Sequence, residues 1–360
     1  SRAERTIHLL ADRRNLVGLG MDVGADFRLT VLNPGGRDPE QHFPEGAGPI
    51  FQAHQPTNFH AYAACTRGSF QREIKRALAE QTPVLLLLRG DFAASERALE
   101  TLQKEGRAVA VSLKETGLHQ IAEQLRHPAR LARFVRIVQR ADGCIAPTPE
   151  AADLYRAIRS KPDRVAFIPT PYPIDDERWN FSVRITERSG IFIGTREWDV
   201  PSRNHLGALL VARELSRTTG AEVTVFNFDR GKGVRLLTSL GFPPGKLRIL
   251  DRKLSYPDYL GEIARHRIVL QLDTSFVPGQ VAGDALLGRV PCVGGNGAID
   301  RLAFPDTCGF ARSIEEIGKA ALRLLMDDEH YQGSVIEMER RASPRLTFKV
   351  VAEELEEFFR

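Results

Sequence analysis

The residues of this sequence that are best suited to bind a ligand lie around position 280. The apolar run at 268–272 is typical of a buried strand in a parallel sheet, and the pattern at 281–287 predicts a short helix that carries Asp284. Gly279 comes just before that helix and allows the backbone to approach a ligand closely. The free amides of the helix N-terminus attract negative charge, so the segment predicts a nucleotide-binding site.

Two arginines follow another predicted strand, at 190–193. Arg196 and Arg203 lie in the loop between that strand and a helical pattern with apolar residues at 206, 209, 210 and 215. A guanidinium group offers a fork of donors that can bind two oxygens of a diphosphate at once. Solvated loop charges are the alternative for both residues, but their place between a strand end and a helix start favours phosphate binding.

These two segments resemble the C-terminal domain of GT-B glycosyltransferases, in particular the large retaining group called family four or group one. The family pattern Glu-x7-Glu-Ala-Met-Ala-x-Gly-x-Pro-Val-Val places its second glutamate on Asp284, its proline on Pro291 and its glycine turn on Gly279. Its first glutamate falls on Phe276, which cannot accept a hydrogen bond from a sugar. The resemblance implies that Asp284 accepts hydrogen bonds from the ribose of a nucleotide-sugar donor.

The resemblance also implies the remaining site residues. The family's Gly-Arg turn and following basic residue match Arg196 and Arg203, which would grip the donor diphosphate. Many members carry a His-Asp pair after a strand of the first domain, and the aligned residues here are Lys114 and Glu115. The catalytic candidates are therefore Arg196, Arg203 and Glu115; the donor-binding candidates are Gly194, Gly279, Gln280, Val281 and Asp284; and the acceptor-side candidates are Asp91, Lys114 and His119. For Asp91, capping of the following helix is the alternative, and for His119 it is an ordinary surface position.

Strands and helices alternate along both halves of the sequence, which is typical of parallel sheets covered by helices. The predicted strands are 6–10, 28–32, 84–89, 108–113, 143–146, 165–169, 190–193, 222–226, 246–250, 268–272 and 290–293. Helices are predicted at 70–80 and 95–105, and residues 33–60, with His54 and His60, predict a long irregular loop.

This organisation predicts an α/β protein of the GT-B type, with two Rossmann-like domains and a cleft between them. Two prolines between 170 and 181, Pro171 and Pro173, mark the junction. We expect an acceptor-binding domain at 1–175, a nucleotide-sugar-binding domain at 176–345, and a final helix at 346–360 that packs back on the first domain, as in the family.

Composition is that of an ordinary globular protein, with 360 residues, 42% hydrophobic and 27% charged. A net charge of +4 is small for this length and argues against a nucleic-acid partner. The four cysteines show no metal-ligand spacing and favour reduced thiols, so we expect no metal and a cytoplasmic protein. The resemblance implies no cofactor beyond the donor substrate. No apolar run is long enough to span a membrane.

A basic helical pattern at 130–140 allows peripheral membrane contact. The arginines concerned are Arg126, Arg130, Arg133 and Arg140, with Arg136 on the same side. Neutralisation of this face by carboxylates of neighbouring elements is the plainer alternative.

The function that the resemblance implies is transfer of a sugar from a nucleotide-diphosphate sugar to a glycan, lipid-linked or small-molecule acceptor, without a metal and with retention of configuration. A catalytically silent GT-B protein that binds a nucleotide or glycan is one alternative, favoured by Phe276, and a sugar-nucleotide epimerase is another. Gly18, Gly20 and Gly24 approach a dinucleotide fingerprint, but the third glycine position is Val23, so a nicotinamide dehydrogenase is disfavoured.

Overall fold

The computed structural model of this chain describes residues 27–360. The predicted strand at 6–10 and the glycines at 18, 20 and 24 lie outside these residues. The strands are β1 (Thr30–Leu32), β2 (Gln41–His42), β3 (Ser69–Gln71), β4 (Val84–Leu88), β5 (Val109–Leu113), β6 (Gly143–Ala146), β7 (Val165–Phe167), β8 (Ile191–Ile193), β9 (Val223–Phe226), β10 (Leu247–Leu250), β11 (Ile268–Leu270) and β12 (Cys292–Val293).

Helices follow most of these strands. They are α1 (Asn58–Cys65), α2 (Ile74–Ala79), α3 (Ala93–Lys104), α4 (Leu118–Leu125), α5 (Pro128–Arg140), α6 (Pro149–Ile158), α7 (His205–Thr219), α8 (Arg230–Ser239), α9 (Tyr256–Ala264), α10 (Gln280–Leu287), α11 (Ala298–Ala303), α12 (Ile314–Met326), α13 (Asp328–Leu346) and α14 (Phe348–Phe359).

The first sheet has the strand order β2-β3-β1-β4-β5-β6-β7, and all its pairings are parallel except that of β2 with β3. Its central strand β4 reads VLLLL and is completely buried. Leu86 packs into one apolar cluster and Leu85 into another on the opposite face. Burial on both faces explains why the strand is a continuous apolar run and not an alternating one.

The second sheet has the order β10-β9-β8-β11-β12 and is parallel throughout. Its strands also serve two apolar clusters, with Phe192 on one face and Ile191 and Ile193 on the other. The loops after β8 and β11 leave the sheet side by side at its carboxyl edge. This edge is the usual place for ligands in an open parallel sheet.

The predicted helix at 70–80 is wrong at its start. Ser69–Gln71 form strand β3, which pairs with β1, and the helix begins only at Ile74. Phe70 is fully buried, where its ring stacks on His60 at a centroid distance of 3.7 Å. The predicted loop at 33–60 also contains β2 and the first residues of α1.

The two sheets are connected by more than the chain that joins them. A parallel β-bridge pairs Tyr172 with Thr347, and α14 places Val351 and Leu355 in an apolar cluster of the first sheet. In addition, Arg301 of α11 forms a two-pronged ion pair with Glu150 of α6, at 2.7 and 2.9 Å. Within residues 27–360, no helix combines the length and the apolar character needed to cross a bilayer.

Candidate functional site

A cavity of about 550 Å³ lies between the two sheets. The first half contributes residues that follow β5 and β6, and the second half contributes residues that follow β8, β9, β10 and β11. Every one of these loops leaves the carboxyl end of a parallel strand, which is why side chains far apart in sequence meet here. Among the residues named from the sequence, those that line the cavity are Lys114, Glu115, Gly194, Arg196, Arg203, Gly279, Gln280, Val281 and Asp284.

The glycine turn before α10 has the geometry that its sequence suggested. Gly279 is the N-cap of α10 and has a φ of +98°, a conformation that favours glycine. Gly194 has a different reason to be glycine, because a Cβ there would lie 2.3 Å from Cγ1 of Val281. The end of β8 can therefore pack directly on the first turn of α10, which places the amides of that turn next to the loop carrying Arg196.

Arg203 is held by two carboxylates at the floor of the cavity. Its guanidinium pairs with Asp273, which follows β11 and is 96% buried, and with Glu197 at 3.1 Å. The second oxygen of Asp273 accepts the backbone amide of Ser275 at 2.8 Å. Asp273 therefore fixes the orientation of Arg203, whose charge is largely balanced before any ligand binds.

Arg196 is exposed and lies over the ring of Phe228, with 5.1 Å between its guanidinium carbon and the ring centroid. Phe228 in turn stacks on Phe226, the last residue of β9, with the two planes only 5° apart. Unlike Arg203, this arginine has no carboxylate partner among residues 27–360. It is thus a cation that an anionic ligand can reach without breaking an ion pair.

Asp284 projects into the cavity from the middle of α10 and is almost fully buried. The hydroxyl of Tyr256 donates a hydrogen bond of 2.6 Å to its Oδ1. Burial raises the pKa of Asp284 from 3.8 to about 7, although Tyr256 and Arg196 oppose that rise. Keeping a carboxylate in such surroundings destabilises the fold, which is a common feature of functional sites.

A second buried acid, Asp300, was not found by sequence reasoning. It lies on α11 and lines the same cavity, and Gln271 donates to its Oδ1 at 2.9 Å. Burial, together with the charge of Asp273, raises the pKa of Asp300 to about 7. For Asp273 a usable signal existed, because it is the first charged residue after the strand at 268–272. For Asp300 there was none, since it reaches the site only through the packing of α11.

The first half of the chain supplies the opposite wall. Lys114 pairs with Asp38 at 3.3 Å and lies 5.7 Å from the ring centroid of Phe59. Glu115 is exposed and receives a weak hydrogen bond of 3.3 Å from Gln120. A carboxylate and an ammonium group therefore face the arginines across the cavity.

Two predicted acceptor-side residues do not line the cavity. Asp91 accepts the backbone amide of Ala93 at the start of α3 and pairs with Arg133 at 3.6 Å, so it has the capping role that was its alternative. His119 is exposed, and its Nδ1 lies 3.4 Å from Oγ of Ser202 across the two halves. Phe276, where the family pattern has a glutamate, also lies outside the cavity.

Three of the four arginines of α5 face carboxylates, and Arg130 forms no ion pair within the described part of the chain. Arg133 and Arg136 share Glu96 of α3, and Arg140 pairs with Glu100 on the same helix. Arg126 pairs with Glu123 one turn earlier on α4. This arrangement is the plainer alternative for the basic face and gives no support to membrane contact through Arg126, Arg130, Arg133 and Arg140.

No protein-family model matches the chain, and no curated protein matches its sequence. Solved structures do match its fold. HepE from Anabaena, in complex with UDP and glucose, superposes with a TM-score of 0.59 and 13% identity over 92% of this chain and 99% of its own. The UDP-forming trehalose-phosphate synthase from Burkholderia xenovorans gives a TM-score of 0.60 and 11% identity over 93% and 99%.

A third match is an alpha-glucosyltransferase in complex with UDP-glucose and DNA, with a TM-score of 0.57 and 10% identity over 92% of this chain and 99% of its own. At these identities the likeness establishes the fold, which is the GT-B architecture that the sequence predicted. The absence of a nucleic-acid partner remains a prediction, since one of these proteins was solved with DNA.

Proposed function

We propose that this protein transfers a glycosyl group from a nucleoside-diphosphate sugar to an acceptor held on its first half. The observation that carries the proposal is the cavity between the sheets, where Arg196, Arg203 and the N-terminus of α10 meet. Three sources of positive charge at one point suit a diphosphate. The nucleotides named in the matching structures, UDP and UDP-glucose, make uridine nucleotides the first to test.

The leaving group of such a transfer is the nucleoside diphosphate, which carries the negative charge that develops as the bond to the sugar breaks. Arg196 would bind it directly, because no carboxylate among residues 27–360 forms an ion pair with its guanidinium. Arg203 keeps Asp273 as a positioning partner, and the exposed Glu197 is the partner that a phosphate oxygen would replace. Stabilisation of the leaving group by charges already in place is the main catalytic contribution that we assign to this chain.

Asp284 is assigned to the ribose. Its Oδ1 is engaged by Tyr256, which fixes the carboxylate and leaves its other oxygen for the ribose hydroxyls. In this proposal the arginines neutralise the charge of the leaving group without a metal ion. Retention of configuration is part of the proposal and rests on the resemblance to family four.

Glu115 and Lys114 are assigned to the acceptor side of the cavity. In the transfer, the acceptor oxygen forms the new bond to the sugar and loses its proton. Glu115 is a carboxylate of that wall and can accept a hydrogen bond from the acceptor hydroxyl.

The test is a panel of UDP-, GDP-, ADP-, CDP- and dTDP-sugars, incubated with the protein with and without oligosaccharide, lipid-linked and small-molecule acceptors. The proposal predicts that release of one nucleoside diphosphate is accelerated by an acceptor. Binding without release would favour the catalytically silent alternative, and isomerisation of the donor without an acceptor would favour the epimerase. Absence of any binding would refute the proposed function.

A further inference from the structure

We infer that Asp300 is the residue that recognises a hydroxyl group of the transferred sugar. This inference rests on the proposed function, and it assigns a subsite that neither the resemblance nor the matching structures supply. The family's first glutamate is replaced here by Phe276, which offers no hydrogen-bond acceptor. Its ring lies outside the cavity, beside Arg301 and Phe310. A glycosyl group in this cavity therefore needs another hydrogen-bond acceptor.

Three of the four acids that line the second half of the cavity are already engaged elsewhere and do not serve as this acceptor. Asp284 is on α10 with the ribose, and both oxygens of Asp273 are occupied, one by Arg203 and one by the amide of Ser275. Glu197 is on the outer side of Arg203 and is half exposed. Asp300 is the remaining acid of that half in the cavity.

The carboxylate of Asp300 is built into the floor next to the glycine turn. Its side-chain partners, the amide of Gln271 at 2.9 Å and the thiol of Cys292 at 3.7 Å, both approach Oδ1. Its Oδ2 lies against two glycines: a Cβ at Gly279 would be 3.0 Å from that oxygen, and a Cβ at Gly297 would be 2.7 Å from it. Side chains at either position would crowd Oδ2, so the two glycines leave room for this carboxylate at the wall of the cavity.

The location fits the group that follows the diphosphate. Gly279 is the N-cap of α10, whose first amides and neighbouring arginines are assigned to the phosphates. A sugar attached to the second phosphate therefore begins within a few ångströms of this turn, next to Asp300. Burial and the charge of Asp273 raise the pKa of Asp300 to about 7, although the hydrogen bond from Gln271 opposes that rise. A hydroxyl group of the sugar would donate a further hydrogen bond to this buried carboxylate.

The experiment compares Asp300→Asn with the wild-type protein, because this substitution keeps the shape and removes the charged acceptor. The probes are UDP, UDP-glucose and the four monodeoxyfluoro derivatives of UDP-glucose, or the same set built on the base and sugar that the panel selects. We expect Asp300→Asn to bind the nucleoside diphosphate within twofold of wild type and the sugar nucleotide about tenfold more weakly. Asp306→Asn, an exposed site six residues further along the chain, is the matched control and should leave both affinities unchanged.

The fluorinated donors identify the contact. In wild type, one of them should bind about tenfold more weakly than the parent donor, since fluorine cannot donate a hydrogen bond. In Asp300→Asn, the same fluorinated donor and the parent donor should bind with equal affinity. Equal donor affinity in wild type and Asp300→Asn would overturn the assignment while leaving the proposed function standing. An equal loss of affinity for the nucleoside diphosphate and for the sugar nucleotide in Asp300→Asn would also overturn it, because the carboxylate would then stabilise the loop and not contact the sugar. If wild type binds no nucleotide, the proposed function itself fails.

Discussion

Replacement of Asp284 by asparagine should make the stability of the protein less dependent on pH between about 4 and 7. In the unfolded chain this carboxyl ionises near its ordinary pKa of 3.8, whereas burial raises the pKa to about 7 in the folded protein. Between these values the folded state keeps a proton that the unfolded state has released. Each rise of one pH unit in that interval therefore lowers the free energy of unfolding by about 1.4 kcal/mol.

Stability from this group is thus complete below pH 3.8 and is lost as the pH rises towards and through 7. Asparagine at 284 has no such titration, and it keeps an oxygen that can accept the hydrogen bond from Tyr256. From pH 5 to pH 8 the difference in unfolding free energy between Asp284→Asn and wild type should shift by about 2–3 kcal/mol in favour of the variant. The similar contribution of Asp300 is present in both proteins and cancels.

Urea titrations at pH 5, 6, 7 and 8 measure this difference. The fluorescence of Trp179 is a suitable signal, because this residue is buried and its ring lies 6.2 Å from that of Tyr256. Asp153→Asn, on the exposed face of α6, is the control and should differ from wild type by the same small amount at every pH. If the difference in unfolding free energy between Asp284→Asn and wild type did not depend on pH, burial would not disfavour the charged form of Asp284 and the prediction would be refuted.

Three further predictions concern the donor site and the junction of the two halves. Arg196→Ala and Arg203→Ala should each weaken binding of a nucleoside diphosphate by about 1.5–3 kcal/mol in calorimetry. Only Arg203→Ala should also unfold at a lower urea concentration, since it leaves Asp273 buried without its cation. Unchanged affinity in both variants would contradict the assignment of these arginines to the phosphates. Turnover should survive EDTA, and loss in EDTA that Mg²⁺ or Mn²⁺ restores would contradict charge neutralisation by arginines alone. Leu355→Ala should lower the free energy of unfolding by about 2–5 kcal/mol, because Leu355 is fully buried against the first sheet. The control Ile336→Ala, at an exposed site, should change this free energy by less than about 0.5 kcal/mol. Equal effects of the two substitutions would show that α14 does not stabilise the first sheet.

Strands buried on both faces could be predicted from sequence with good bounds, because a short apolar run such as β4 or β6 needs no knowledge of its neighbours. Strand β3 could not be predicted in this way. Its residues Ser69 and Gln71 are polar yet buried, and the pairing with β1 that explains their burial joins positions about forty residues apart. A local helical pattern therefore extended too far upstream.

In the candidate site, too, local features could be predicted from the sequence and long-range contacts could not. Residues inside one strand–loop–helix unit, such as Gly279 and Asp284, could be placed together from spacing alone. The ion pair between Arg203 and Asp273 joins two such units, and Asp300 reaches the cavity from a third. The capping of α3 by Asp91 is local, but nothing in the sequence distinguished it from a cleft position.

We propose that a nucleotide lies along the arginines with its ribose at Asp284. Calorimetry with the ribonucleoside diphosphate and its 2′,3′-dideoxy analogue, on wild type and Asp284→Asn, measures this placement. We expect the variant to lose about 1–2 kcal/mol of binding free energy for the ribonucleotide, and we expect the dideoxy analogue to bind both proteins equally. If the variant loses the same affinity for both ligands, or for neither, Asp284 does not face the ribose and the proposed donor site is wrong.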